Sequence, residues 1–413
     1  MTTGRLPLAG TRVLELSHIV AGPAAGLVLA DLGADVIRIE RPDSDQARNL
    51  PSGAASVSQF LNRNKRSFAV DLKAPAGKAV FVRLVQSSDI VLDNFSPGVL
   101  ERLGFGYEDL ARVNPRIISL SVKGFLPGPY EDRPSLDEVA QMMGGLAFMT
   151  GPPGQPLRAG ASIIDIGAAS YGVIGVLAAL LERERTGRGQ KITSALFETT
   201  VFWVGQWVAL AVATGEPSIP MPEMGQGQRM GWGIFRLFET SDGEQMFVAV
   251  TSDAHWERFC KEFGLLDLLA DERLSSNAKR VAARQWLLPR VREELRKYSA
   301  AELQEKLARA ELPYAPLRRP DQLLDDPHLN ETNQFMLTPF PGRGTGKLPK
   351  LPFRSSDYEF SLRRPVPGLG EHTRELLEEL RYKESEIERL VSAKAVLIGI
   401  PSERADGAAG GKS

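Results

Sequence analysis

Along the N-terminal third of the chain, short apolar runs trade places with segments of helical spacing. Arg12–Leu16 is a β-rich run, Ala24–Leu32 carries a helix-like pattern that stops at Gly33, and Asp35–Glu40 alternates like a second strand. Gly33 stands where a C-cap glycine belongs. Strand, helix and strand in such close succession form a βαβ unit, and such units build parallel sheets. Ser67–Asp71, Ile90–Leu92 and Ile117–Val122 add strands, with helices Pro75–Gln86 and Pro97–Leu103 between them. The pattern predicts an α/β fold, a Rossmann-like large domain on a parallel sheet, with ligands at the C-terminal ends of the strands.

Further along, Arg158–Ala169 reads as a short β-branched run carrying Asp165 and opening into a helix that continues to about Arg185. A strand at Gln190–Ser194 and a helical region at Leu196–Ala213 follow, and then Pro217, Pro220 and Pro222 mark a linker. Beyond it, Gly233–Thr240 and Glu244–Thr251 flank Ser241-Asp242-Gly243, a hairpin signature. Helical segments His255–Phe263, Ala282–Lys297 and Ala300–Ala310 complete a smaller α+β domain. Phe335–Phe360 is rich in Pro, Gly and basic residues with little regular pattern, and helices return at Gly370 and at Glu384–Val391.

Composition narrows the function classes. With 413 residues the chain exceeds one ordinary core, and 43% hydrophobic with 24% charged residues is ordinary for a soluble globular protein. A formal net charge of -1 gives no electrostatic case for nucleic acid or an anionic membrane. Cys260 is the only cysteine, so an internal disulfide and a cysteine zinc site are both excluded. His18, His255, His328 and His372 have no paired ligand spacing, and no metal is expected. The N-terminus lacks a signal-type apolar core, and Ile19–Leu32 is broken by Pro23 and Asp31; a cytoplasmic protein is expected. Gly225-Gln226-Gly227-Gln228 does not join a strand to a helix, so the dinucleotide fingerprint lacks its context.

Asp165 is the candidate chemistry. A strand-to-helix corner presents a side chain outward, Gly167 lets a substrate approach closely, and the helix dipole favours the ionised carboxylate. A helix cap is the other role open to the same residue.

Several stretches together resemble the class III CoA-transferase family, also called CaiB/BaiF. They are Leu8-Ala9-Gly10-Thr11-Arg12-Val13-Leu14-Glu15, Ala21-Gly22-Pro23, Leu32-Gly33-Ala34-Asp35-Val36-Ile37-Arg38-Ile39-Glu40 and Asn64-Lys65-Arg66-Ser67. Asp93-Asn94-Phe95-Ser96-Pro97-Gly98, Asn114-Pro115-Arg116, Thr186-Gly187-Arg188-Gly189-Gln190 and Gly370-Glu371-His372-Thr373 continue the series in the family's order and spacing.

The resemblance implies that Asp165 is a nucleophile working through an aspartyl anhydride and an aspartyl-CoA thioester, with CoA thioesters as substrates and no tightly bound cofactor or metal. It places CoA contacts at His18, Arg41, Lys65, Arg66, Asn94, Arg102 and Lys123, with Lys65 and Arg66 in a loop ahead of the strand. Asp137 matches an acidic residue near the nucleophile, and Gly225, Gln226 and Gly227 match a glycine-rich loop that shields the intermediates. Leu136 stands where α-racemases of the family carry a histidine, which favours the transferase over the isomerase. A CoA-binding protein without chemistry is the third reading. Val20 and Leu136 replace polar residues of formyl-CoA:oxalate transferases and line a less polar pocket. The expected donor is succinyl-CoA or similar, and the expected acceptor a small acid such as citramalate, mesaconate or itaconate. The resemblance further implies an interlocked ring-like homodimer. Its large domain would take 1–214 and 353–400, with linkers at 215–224 and 331–352, a small domain at 225–330 and a disordered tail at 401–413.

Overall fold

The computed structural model describes residues 4–43, 52–221, 231–340 and 344–400. The chain divides into two compact units, residues 1–146 with 158–206 and 328–413, and residues 147–157 with 207–327.

In chain order the first half runs β1 (Arg12–Leu16), α1 (Ala21–Asp31), β2 (Asp35–Glu40), α2 (Ser52–Leu61), β3 (Lys65–Val70), α3 (Pro75–Gln86), β4 (Ile90–Asp93), α4 (Val99–Leu103), α5 (Tyr107–Val113) and β5 (Ile118–Lys123). It continues with α6 (Asp137–Met143), α7 (Leu146–Thr150), α8 (Ile163–Thr186), β6 (Lys191–Ala195), α9 (Leu196–Trp203) and α10 (Gly205–Thr214). The first unit is built on a seven-stranded sheet in which a last strand, β12 (Val396–Leu397), stands at one edge of the order β12-β3-β2-β1-β4-β5-β6. Its strands pair in parallel except β12, which runs antiparallel to β3 through Val396 and Val70.

Alternate residues of each strand feed different cores, so both faces must be apolar. Val13, Val36, Leu92 and Leu120 pack with α1 and α8, whereas Leu14, Ile37, Phe68 and Val91 pack with α3 and with Leu376 and Leu377 of helix Thr373–Glu379. Small residues let α8 lie close on the sheet: a Cβ on Gly172 would stand 3.0 Å from Leu120 Cδ1. By length and composition α8 could cross a membrane, yet one of its faces packs on α1, β5 and β6.

The expected helix Leu196–Ala213 is two helices, α9 and α10, separated at Val204. Residues 331–352, expected as a linker, contain an antiparallel hairpin of β10 (Phe335–Phe340) and β11 (Gly344–Pro349). Gly344-Thr345-Gly346-Lys347-Leu348-Pro349 has poor strand propensity, so its pairing is set by the partner strand rather than by its own pattern. The expected tail at 401–413 lies outside the described residues.

The second unit holds the antiparallel sheet β7 (Ile234–Glu239), β8 (Gln245–Val250) and β9 (Tyr314–Pro316). The hairpin turns at Gly243, whose φ of +80° suits glycine. Helices Asp253–Glu262, Arg284–Leu295 and Ala300–Arg309 cover one face around Ile234, Trp256, Phe259, Leu287 and Leu303. Cys260 is buried there, and burial pushes its thiol up to about 12, which leaves it unreactive.

Candidate active site

Asp165 lies in the first turn of α8, and the residues before it form no strand. The expected strand-to-helix corner is therefore corrected to a helix start. The reason is a contact from another helix. Asp137, the first residue of α6, accepts the main-chain N–H groups of Ile164 and Asp165 on one carboxylate oxygen, at 2.8 and 3.1 Å. These are N–H groups that a helix start leaves orphaned, and satisfying them makes the β-branched Ile163-Ile164 pair helical against its preference. The other oxygen of Asp137 is held by Gln141 Nε2, and Gln141 Oε1 accepts the N–H of Ala159 at 2.8 Å. Asp137 thus anchors the start of α8 directly and the segment leading into it through Gln141, rather than capping its own helix.

The Asp165 carboxyl is pushed up to about 7, first by burial, then by the negative charges of Asp137 and Glu138. These outweigh the helix dipole, which by itself favours ionisation. Gly167 does not open a path for substrate. A Cβ there would stand 2.6 Å from the Trp203 ring, so the glycine serves helix packing.

Asp165 lines a cavity of about 300 Å³ with His18, Val20, Asn94, Phe95, Lys123, Arg133, Leu136 and Leu196. His18 and Val20 follow β1, Asn94 follows β4 and Lys123 ends β5, so the cavity opens at the C-terminal edge of the parallel strands. Asn94 does not reach outward. Its amide clamps the His18 main chain, accepting from the N–H and donating to the carbonyl, both at 2.9 Å. The His18 ring stacks on Phe95, centroids 5.8 Å apart. Lys123 pairs with buried Asp93 and donates to the Phe95 carbonyl at 2.7 Å. Val20 and Leu136 supply apolar wall to this cavity, and Leu136 is 60% exposed.

Phe95 also lines a second, larger cleft of about 1020 Å³ at the ends of β1, β2 and β3. Its floor is apolar (Leu16, Ile39, Val70), and Arg41, Lys73, Lys78, Arg102 and Lys394 stand among its lining residues. Arg41 is bound to Asp43 at 2.6 Å on the surface, and Arg102 folds against Gly98. A mostly apolar cleft with several cations matches a ligand that joins an aromatic ring to phosphates.

Lys65 and Arg66 are not in that cleft. Both belong to β3 and are buried: Lys65 Nζ lies 2.7 Å from Glu15, and Arg66 binds Asp35, Glu375 and Glu379. Burial pushes the Lys65 ammonium down to about 8, with Glu15 pulling the other way. Their expected role as loop residues over a phosphate is corrected: each cation is consumed by acidic partners inside the fold. Gly225, Gln226 and Gly227 lie outside the described residues.

The sequence reading missed Gln141, Phe95 as the residue shared by the two cavities, and Ile19, whose φ of +63° is rare for a β-branched residue. Gln141 stands four residues after Asp137, one turn along the same helix face, a spacing that could have flagged it.

The family model described as CoA-transferase family III matches residues 8–373. A formyl-CoA:oxalate CoA-transferase of Rhodopseudomonas palustris (strain BisA53) is 32% identical over 397 residues, covering 90% of this chain and 93% of its own. The beta subunit of a succinyl-CoA–L-malate CoA-transferase of Chloroflexus aurantiacus is 33% identical over 388 residues, covering 92% and 95%. Among solved structures, a CaiB/BaiF family protein from Brucella suis superposes with a TM-score of 0.81 at 31% identity, covering 92% of this chain and all of its own. The sheet, the nearly full-length match and these relatives agree: the chain belongs to CoA-transferase family III, the CaiB/BaiF family, and is a class III CoA-transferase.

Proposed function

We propose that Asp165 is the nucleophile of a CoA transfer that runs through covalent aspartyl intermediates. The observation that carries this is a half-buried carboxylate, raised to about 7, facing a cavity at the sheet's ligand edge. A carboxylate of higher pKa is a stronger nucleophile once ionised. Its oxygen attacks the donor thioester carbonyl, the C–S bond breaks, and an acyl-aspartyl anhydride and CoA thiolate form. The thiolate attacks the aspartyl carbonyl, the anhydride C–O bond breaks, and the donor acid leaves as its carboxylate. The acceptor carboxylate then displaces thiolate from the aspartyl-CoA thioester. The thiolate finally takes the acceptor acyl group and frees Asp165. Each step is an acyl transfer between oxygen and sulfur, so the cycle draws on no metal or redox cofactor.

The basic cleft is the proposed CoA site, with Arg41 and Arg102 for the phosphates and Phe95 at the passage toward Asp165; His18, Asn94 and Lys123 shape the thioester end. Ile19, Val20, Leu136 and Leu196 make the reacting cavity partly apolar, and Arg133, stacked over Tyr130 at 5.0 Å beside Glu131 and Asp132, offers a cation on its wall. This supports a short dicarboxylic acid, one carboxylate reacting and the other held by Arg133. Succinyl-CoA, named in the Chloroflexus relative, is the proposed donor, and malate-like or C5 dicarboxylates are the proposed acceptors. Leu136 cannot carry a proton, which argues against the racemase reading.

We further propose a homodimer. Ile166, Tyr171 and Ile174 of α8 and Phe202 of α9 are exposed apolar side chains, with Tyr171 and Phe202 in edge contact at 5.5 Å. A cytoplasmic location suits such a soluble metabolic enzyme.

Incubating the protein with succinyl-CoA or formyl-CoA and a panel of oxalate, malate, mesaconate and itaconate, then separating the CoA thioesters, tests the reading. New thioester from succinyl-CoA and a dicarboxylate, lost in Asp165→Ala, is expected. Turnover persisting in Asp165→Ala would exclude the nucleophile.

A further inference from the structure

The corner between β1 and α1 reaches the Asp165 cavity in a strained conformation. Ile19 is left-handed at φ +63° and 45% exposed, between His18 and Val20, which line the same cavity. A β-branched residue keeps that conformation only where its surroundings over-determine it. Asn94 clamps His18 from the sheet side. A second restraint comes from beneath. Ser17 donates its hydroxyl to Glu15 Oε1 at 2.6 Å, and Glu15 Oε2 meets Lys65 Nζ at 2.7 Å. Lys65 also donates to the Pro23 carbonyl in the first turn of α1 at 2.9 Å and to Asn62 Oδ1 at 3.2 Å. Arg38 Nε lies 3.6 Å from Glu15 Oε1 and closes the set.

Helix α1 is cut to fit over this pair. A Cβ on Gly26 would stand 1.8 Å from Glu15 Oε2 and 2.9 Å from Lys65 Nζ, and one on Gly22 would stand 2.4 Å from Ser17 Cβ. Gly22 and Gly26 are one turn apart on the face that covers the chain of contacts. An ion pair this deep contributes little net stability, because desolvating two charges offsets their attraction. It does fix geometry, since both side chains are shut off from solvent and held by further partners inside the fold.

We propose that the buried Glu15–Lys65 pair, acting through Ser17 and the Pro23 carbonyl, positions the strained His18–Ile19 corner against the Asp165 cavity. The proposal rests on Asp165 being the reacting carboxylate. Lys65 and Glu15 are positioning residues: neither touches substrate, and their effect passes through the corner they hold.

Two variants test it. Ser17→Ala cuts the link while leaving the ion pair in place, and Glu15→Gln with Lys65→Met removes both charges together, so that neither is left buried alone. Asn64→Ala is the control. It removes a buried hydrogen bond to Asp31, to which Asn64 Nδ2 donates at 2.8 Å, and leaves the hydrogen bonds of Ser17, Glu15 and Lys65 in place. Amide hydrogen exchange of residues 17–20 is measured without turnover, and the rate of covalent labelling by succinyl-CoA is measured alongside.

Both test variants are expected to speed exchange at 17–20 and slow labelling by about tenfold, with the KM for succinyl-CoA within about twofold of wild type. Asn64→Ala is expected to lower the melting temperature and leave both readouts unchanged. Wild-type exchange and labelling in Ser17→Ala would overturn the proposal, as would a fall in melting temperature alone in the double variant. Absence of labelling in the wild-type protein would instead strike at Asp165 itself, while the exchange result would still decide whether the pair holds the corner.

Discussion

One carboxylate oxygen of Asp137 accepts the main-chain N–H of Asp165 at 3.1 Å, and the negative charge of the same carboxyl is a cause of the raised pKa of Asp165. The residue that fixes the backbone of Asp165, the proposed nucleophile, therefore also adds to the effect of burial on its protonation. Asp137→Asn keeps an oxygen for the N–H groups and removes the charge. The midpoint of kcat/KM against pH is expected at about 7 in the wild type and at lower pH in that variant. Asp137→Ala adds a loss of about 1–3 kcal/mol in unfolding free energy, because two helix N–H groups lose their acceptor. An unmoved midpoint in Asp137→Asn would separate the two carboxyls.

The same pKa carries a stability cost. Asp165 titrates near 3.8 in an unfolded chain and near 7 when folded, so between these values the folded state holds a proton that the unfolded state has lost. Stability contributed by this group falls as pH rises through that window and is level above it. Asp165→Asn escapes the cost and is expected to be more stable than wild type at pH 8 by up to about 4 kcal/mol, the advantage vanishing near pH 4. Urea unfolding at the two pH values reads the difference directly.

Arg66 is held inside the fold, whereas Arg102 lines the proposed CoA cleft. Arg66 has 3% side-chain exposure and three acidic partners, which are themselves partly exposed, so Arg66→Ala is expected to lose about 1.5–3 kcal/mol of stability. Arg102 lines the cleft on the surface, so Arg102→Ala is expected to raise the KM for acyl-CoA about tenfold with an unchanged melting temperature. Thermal denaturation and initial rates on both variants would reveal the reverse pattern if the assignments were exchanged.

The apolar wall of the cavity beside Asp165 is the proposed determinant of acceptor choice. Val20→Gln with Leu136→Tyr is expected to raise turnover of oxalate relative to that of a C5 dicarboxylate, measured as a ratio of kcat/KM. A ratio equal to that of wild type would remove these two positions from specificity.

The parallel sheet was legible from the sequence because β1, β2 and β4 are short apolar runs set between helical patterns, and local periodicity carries that information. Asp165 was legible as a residue and not as a geometry. The Ile163-Ile164 pair reads as strand, and the acceptor that makes it helical, Asp137, comes from a separate helix. Lys65 and Arg66 were misplaced for the same reason. Charged residues are ordinarily solvated, and the partners that draw these two inside are Glu15 on β1 and Glu379 near the other end of the chain, with no local signal. The hairpin β10–β11 was hidden by the glycines and proline of its second strand.

Intact-protein mass spectrometry after mixing with succinyl-CoA, with hydroxylamine cleavage and peptide mapping, tests the central claim most directly. The expected result is an added mass on the wild-type chain, removed by hydroxylamine, mapped to the peptide holding Asp165 and absent in Asp165→Ala. An adduct of the same size on Asp165→Ala, or CoA transfer to an acceptor acid by a protein that never carries one, would contradict it.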